Sequence, residues 1–145
     1  MKFAEIKEFR AFCESMYSNP DWRKSLENIL DGETDFEVNG VRFIADSIID
    51  EVLADELESD NYILGCFNSW VIADATGWPI ALIEAAQKGE AYEEIGEAMT
   101  KEHIKRLAEI YAGNDGYGHH FNSWDGSSEE IEVNGEIYHV FDKRG

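Results

Sequence analysis

The chain has 145 residues, 43% of them apolar and 12% aromatic, with 31 acidic residues against 12 basic ones and a formal net charge of −19. That apolar content is too high for a disordered acidic tail, and the length suits one domain that buries roughly two-thirds of its unfolded surface. The charge opposes direct contact with nucleic acid or anionic lipid, and no apolar run nears the roughly 18 residues of a membrane span. The start, Met1-Lys2-Phe3-Ala4-Glu5-Ile6-Lys7-Glu8, is charged throughout and does not read as a signal peptide. Two isolated cysteines, Cys13 and Cys66, point to buried thiols in a reducing cytosol, with a single disulfide as the minority reading.

Phe3, Ile6, Phe9, Cys13 and Met16 recur at helical spacing, and Asn19-Pro20 predicts the end of that helix. Pro20 suits the first position of a second helix, which carries Trp22, Leu26, Ile29 and Leu30 up to Gly32. Residues 1–32 are therefore expected as a helical hairpin. In Phe36-Glu37-Val38-Asn39-Gly40-Val41-Arg42-Phe43, Asn-Gly sits between alternating apolar residues, the pattern of a two-residue β-turn at positive φ. The register then sets Val38 against Val41 and Phe36 against Phe43 on one side, with Glu37 meeting Arg42 on the other. Residues 33–45 are the expected hairpin.

Residues 46–112 read as a helical core. A helix from Asp46 to Glu58 carries Ile48, Ile49, Val52, Leu53 and Leu57. Asp60 can cap the next, through Tyr62, Ile63, Leu64, Phe67, Trp70 and Val71, which is apolar nearly all round and expected to be central. Thr76-Gly77 ends it. Pro79 opens a helix over Ile80–Ala86 closed by Gly89, a short helix follows from Tyr92 to Met99, and Thr100 caps one that runs to Gly113. By the same periodicity the four tryptophans are expected mostly in the core, as is Cys66.

Residues 113–145 change character. Gly113-Asn114-Asp115-Gly116-Tyr117-Gly118 reads as a flexible loop, and Ile131-Glu132-Val133-Asn134-Gly135-Glu136-Ile137-Tyr138 repeats the hairpin signal. Glu-Val-Asn-Gly occurs at 37–40 and 132–135, and Phe-Asn-Ser-Trp at 67–70 and 121–124. The two echoes have different separations, so they are not one repeat unit and chance similarity accounts for them. The expected fold class is α+β: a helix-dominated single domain whose two short β-hairpins can pair into one small antiparallel sheet.

Charge distribution carries the functional reading. A folded chain of this length is about 38 Å across, so its net charge amounts to about one per 2 Å, near the one per ~1.7 Å of duplex DNA. Between Phe43 and Thr100 there is one base, Lys88, against thirteen acids, and from Leu107 to Asp142 there are eight acids and no base. On the 46–58 helix, Asp50, Glu51, Asp55 and Glu58 fall within roughly 140° of arc. Residues four apart rise about 6 Å, a scale similar to successive phosphates. Glu90, Glu93, Glu94 and Glu97 form a second cluster. A solvated face without function predicts interspersed signs instead. The partner-facing residues expected on this basis are Asp46, Asp50, Glu51, Asp55, Glu58, Asp60, Glu90, Glu93, Glu94, Glu97 and Trp124.

Other candidate chemistry has a plainer reading. His119-His120, beside Asp115, Asn122 and Asp125, has residue types suited to a divalent metal or acid–base work, but its spacing matches no zinc template. Hydrogen-bonding surface histidines are the simpler reading. Asp125–Glu130 lacks the alternating ligands of a calcium loop and reads as a turn. Gly113, Gly116 and Gly118 form no Walker or dinucleotide motif. No catalytic residue, metal ligand or cofactor is assigned. Phe121 and Trp124 either pack the loop or anchor a partner. Three classes stay open: a phosphate-mimicking binder, an acidic interaction module with an aromatic patch around Phe121 and Trp124, and a metal-dependent enzyme at His119 or His120.

The small size, the charge and the acid-only faces at Asp50, Glu51, Asp55, Glu58 and Glu90 to Glu97 resemble phage-encoded anti-defence DNA mimics, namely antirestriction proteins of the Ocr type and several anti-CRISPR proteins. Tyr117-Gly118-His119-His120-Phe121-Asn122-Ser123-Trp124-Asp125-Gly126 is also similar to the endings of small phage proteins. The acidic C-terminal run of Ocr-type proteins has no counterpart in Asp142-Lys143-Arg144-Gly145. The resemblance implies a non-catalytic inhibitor in the host cytoplasm. Its partner would be a basic nucleic-acid-binding protein, a bacterial nuclease of restriction or CRISPR type, with neither nucleic acid nor membrane bound directly.

Overall fold

Both Asn-Gly pairs form the turns that their chemistry favours: Asn39 and Asn134 sit at φ 53°, Gly40 and Gly135 at φ 83°. The structure, a computed structural model, describes residues 1–143; Arg144 and Gly145, the last two of the expected C-terminal segment, lie outside the described residues. In chain order the elements are α1 (Phe3–Ser15), α2 (Trp22–Leu30), β1 (Asp35–Val38), β2 (Val41–Ala45), α3 (Ile49–Glu58), α4 (Asn61–Cys66), α5 (Ser69–Thr76), α6 (Ile80–Lys88), α7 (Tyr92–Ala98), α8 (Lys101–Asp115), α9 (Tyr117–Phe121), β3 (Glu129–Val133) and β4 (Glu136–Asp142). The fold is α+β and helix-dominated. It divides into two compact units: residues 1–49 with those from Tyr117 onward, and residues 50–116.

The first unit is built on the sheet. The hairpins β1–β2 and β3–β4 join through β2 and β4 into one antiparallel sheet of order β1-β2-β4-β3. Val38 pairs with Val41, Phe36 with Phe43 and Glu37 with Arg42, as the alternation predicts. A shift of 95 residues carries Asn39 onto Asn134 and Ile44 onto His139, and Ile44 and His139 are themselves partners across the sheet. The two hairpins are thus related by an approximate twofold through that pair.

On one face, Phe9 and Cys13 of α1 and Leu26 and Ile29 of α2 are buried against Val41, Phe43, Tyr138 and Val140. Apolar side chains buried in this way stabilise by roughly 1.5–3 kcal/mol each. Pro20 precedes α2 instead of opening it. Asp21 caps the helix, its Oδ1 accepting from the N–H groups of Arg23 and Lys24 at 3.0 and 3.2 Å, an acceptor that proline lacks. The opposite face is covered by α9, where Phe121 meets Phe141 at 5.2 Å and Tyr117 meets His139 at 5.0 Å between ring centroids. The expected loop over 113–118 is therefore largely helical, with α8 reaching Asp115 and α9 starting after Gly116. Gly113 stays within α8 because glycine costs only about 1 kcal/mol in a helix interior.

The second unit holds α4 to α8 and nearly all of α3. Leu53, Leu57, Leu64, Ile72, Ile83, Ile104 and Leu107 are buried in it. α3 begins at Ile49 and not at Asp46, whose N–H donates to the Ile137 carbonyl at 2.8 Å and so stays with the sheet. The single helix expected from Asp60 to Val71 is two helices. Asn68 caps α5 by accepting from the Trp70 N–H at 2.9 Å, and Gln87 Nε2 donates to the carbonyls of Gly65 and Phe67 at 3.0 and 2.8 Å. Those carbonyls would be left unpaired by the break. The break also turns Tyr62, Ile63 and Trp70 outward, so this segment is not a fully buried centre. Cys66 is exposed, against expectation, while Cys13 is buried.

Candidate functional site

The second unit carries most of the predicted surface. Asp50, Glu51, Asp55 and Glu58 are all exposed on α3. Asp60 is exposed and caps α4 by accepting from the Ile63 N–H at 3.1 Å. On α7, Glu93, Glu94 and Glu97 are exposed within about 100° of arc. Glu90 is exposed too, but it lies before α7, in a left-handed turn at φ 60° after Gly89, so it is not part of the helical row. Glu51, Asp55, Glu58, Glu90, Glu93, Glu94 and Glu97 have no cationic partner among the described residues.

Asp46 belongs elsewhere. It lies in the first unit, where its Oδ1 is 2.7 Å from Nε2 of the buried His139, whose Nδ1 faces Glu130 at 3.6 Å. Further ion pairs also stay within this unit: Arg42 with Asp35 at 2.8 Å, Lys143 with Glu37 at 2.8 Å, and Arg10 with Glu14 at 2.9 Å. Glu37 and Arg42 are strand partners, yet each side chain binds another residue. Bidentate geometry explains it: Arg42 Nε and Nη2 each reach an oxygen of Asp35.

Trp124 is 68% exposed, and so is an unpredicted counterpart, Trp70, at 73%. Neither of the remaining two tryptophans, Trp22 and Trp78, is fully buried, so the expectation of core tryptophans fails. Helical periodicity places a side chain on a face but does not say whether that face is covered. The signal that marks Trp70 is the echo Phe-Asn-Ser-Trp. In both copies asparagine Oδ1 accepts from the tryptophan N–H two residues on, at 2.9 Å from Asn68 and 3.2 Å from Asn122. In both, phenylalanine packs on another ring: Phe67 on Tyr111 at 5.0 Å and Phe121 on Phe141 at 5.2 Å. Phe121 is buried, so an aromatic surface at this place consists of Trp124 and not of both rings.

The turn around Trp124 is tightly held. Asn122 is fully buried, and its Nδ2 donates to Asp125 Oδ1 at 2.9 Å and to the Ser127 carbonyl at 3.0 Å. The Ser127 N–H also donates to Asp125, and with the Ser127 and Asn122 side chains it holds the Asp125 carboxyl below its ordinary range. His120 packs edge-on against Phe121 at 4.8 Å, and His119 is exposed. Among the described residues no group of three or more histidine, cysteine, aspartate or glutamate side chains is placed to hold a metal ion, and no helix is long and apolar enough to cross a membrane. In comparisons with known proteins, no family model, no curated protein and no solved structure matches this chain.

Proposed function

We propose that the protein is a non-catalytic binder that presents carboxylates in place of nucleic-acid phosphates to the basic groove of a DNA-binding protein, of the restriction or CRISPR nuclease class. The observation that carries this reading is the exposure, without cationic partners among the described residues, of Glu51, Asp55, Glu58, Glu93, Glu94 and Glu97 on two helices. Like charges at helical spacing cost a few tenths of a kcal/mol each, and intervening lysines would relieve that cost. A surface that bears the cost fits a role in which the charge meets a basic partner. Complementary charge speeds association and is screened by salt.

The test is capture of a nuclease from bacterial lysate on the immobilised protein, followed by washes with rising salt or with duplex DNA. Release by both is expected. A captured nuclease that duplex DNA leaves in place would overturn phosphate mimicry.

A further inference from the structure

We propose that Trp70 and Trp124 are each a cation receptor, one in either unit, that stacks against an arginine side chain of the basic partner; this rests on the acidic surface being partner-facing. Tryptophan is on average highly buried, yet both of these rings stand mostly in solvent. Their backbones are also held in the same way, by an asparagine whose Oδ1 accepts from the main-chain N–H of the tryptophan two residues on. Each has acid beside it, and the arginines of the two segments are engaged elsewhere: Arg106 Nη2 donates to the Asp74 carbonyl at 3.2 Å, and Arg42 lies over the Phe121 ring at 5.0 Å. Trp70 lines a cleft of about 480 Å³ with Asp74, Ile110 and Asn114, and Trp124 adjoins Asp125, which Ser127 and Asn122 hold in place.

The chain makes the same kind of contact internally. Arg10 and Arg23 lie over the ring of Trp22, at 5.5 and 5.3 Å from its centroid, whereas among the described residues no guanidinium lies over Trp70 or Trp124. Carboxylates attract lysine and, in bidentate pairs, arginine more strongly, so the arginine preference that belongs to the rings is the part lost when they are replaced. An indole face adds a preference for the planar guanidinium, which stacks as well as attracts. Trp70 and Trp124 would thus choose among basic partners that the acidic helices merely attract.

The test is titration of the full chain with nona-arginine and with nona-lysine peptides, by calorimetry, at low and at physiological salt. The indole N–H resonances of the four tryptophans are followed by NMR in parallel. Tighter binding of nona-arginine is expected, with the Trp70 and Trp124 resonances shifting more than those of Trp22 and Trp78. Trp70→Leu and Trp124→Leu should each weaken nona-arginine binding about two- to fivefold, the size of an exposed cation–π contact, and change nona-lysine binding less. If both variants bind nona-arginine like the unmodified chain while salt dependence persists, this inference is overturned and the acidic surface stands. If neither peptide binds the unmodified chain in a salt-dependent way, both readings fall.

Discussion

Gly65 of α4 lies so close to Tyr92 of α7 that a Cβ on the glycine would stand 1.8 Å from the Tyr92 carbonyl oxygen. The contact is reciprocal, because a Cβ on Gly96 of α7 would stand 2.1 Å from the Asn61 carbonyl oxygen of α4. Two glycines thus let these helices touch backbone to backbone, and this seats α7 with its carboxylates. Backbone oxygens cannot swing aside as a side chain can. Gly65→Ala and Gly96→Ala should each destabilise the protein by about 1–3 kcal/mol. Gly113→Ala is the contrasting case: Gly113 lies inside α8 with nothing within 4 Å of its would-be Cβ, and the substitution should stabilise by about 0.5–1 kcal/mol. Urea midpoints of the three variants check the opposite signs.

At the hairpin turns the demand is conformational instead of steric. Gly40 and Gly135 both adopt φ 83°, a left-handed conformation that costs other residues roughly 1–2 kcal/mol. Gly40→Ala and Gly135→Ala should therefore lower stability by that amount each. Because β2 and β4 are neighbours in one sheet, both variants should loosen the same amides. Hydrogen exchange at Ile44 and His139 measures this, and protection unchanged at both would refute the coupling.

These turns were also the most legible part of the sequence, since Asn-Gly and the alternation around it are local signals. The pairing of β2 with β4 was open, because nothing local decides which strands meet. The break between α4 and α5 was hidden by a continuous apolar run, although Asn68 is a good cap and marks it in retrospect. Its cause includes Gln87, about twenty residues away, which periodicity cannot see. The acid rows on α3 and α7 were readable from composition and spacing. The outward tryptophans were not, because exposure depends on which neighbours cover a face. Asp46 was misplaced for a similar reason: its partner His139 is 93 residues away.

The two thiols should separate cleanly by reactivity. Cys66 is exposed, whereas Cys13 is buried among the sheet-facing side chains. An aromatic disulfide reagent should modify one thiol quickly in the native protein and the second only on unfolding. Rapid modification of both would contradict the packing of α1.

Burial pushes the Cys13 thiol up to about 12, with the Asp21 and Glu14 carboxylates adding to the shift. An unfolded thiol ionises near its ordinary value of 9.0, so between about pH 9 and 12 the unfolded state binds fewer protons. Stability must then fall as pH rises through that window. Tyr138, raised by burial and donating to the Glu33 carbonyl at 2.8 Å, acts in the same direction. The urea midpoint should drop between pH 8 and pH 10.5, and it should drop less in Cys13→Ala.

The acidic helices set stability against binding. Glu93, Glu94 and Glu97 repel one another on a helix of seven residues, and the whole chain carries the −19 charge. Raising the salt from 0.05 to about 1 M shortens the screening length from over 10 Å to about 3 Å, so the melting temperature should rise. Glu97→Lys places a cation in the last turn of α7, four residues after Glu93 and three after Glu94, where it can form a helical ion pair worth about 0.3–0.5 kcal/mol. It should therefore stabilise the free protein and flatten the salt dependence of its melting. The same substitution should weaken binding to a basic partner, chiefly by slowing association. A variant that is more stable and binds equally well would show that the charge on α7 contributes nothing to recognition; greater stability with slower association is the outcome that phosphate mimicry requires.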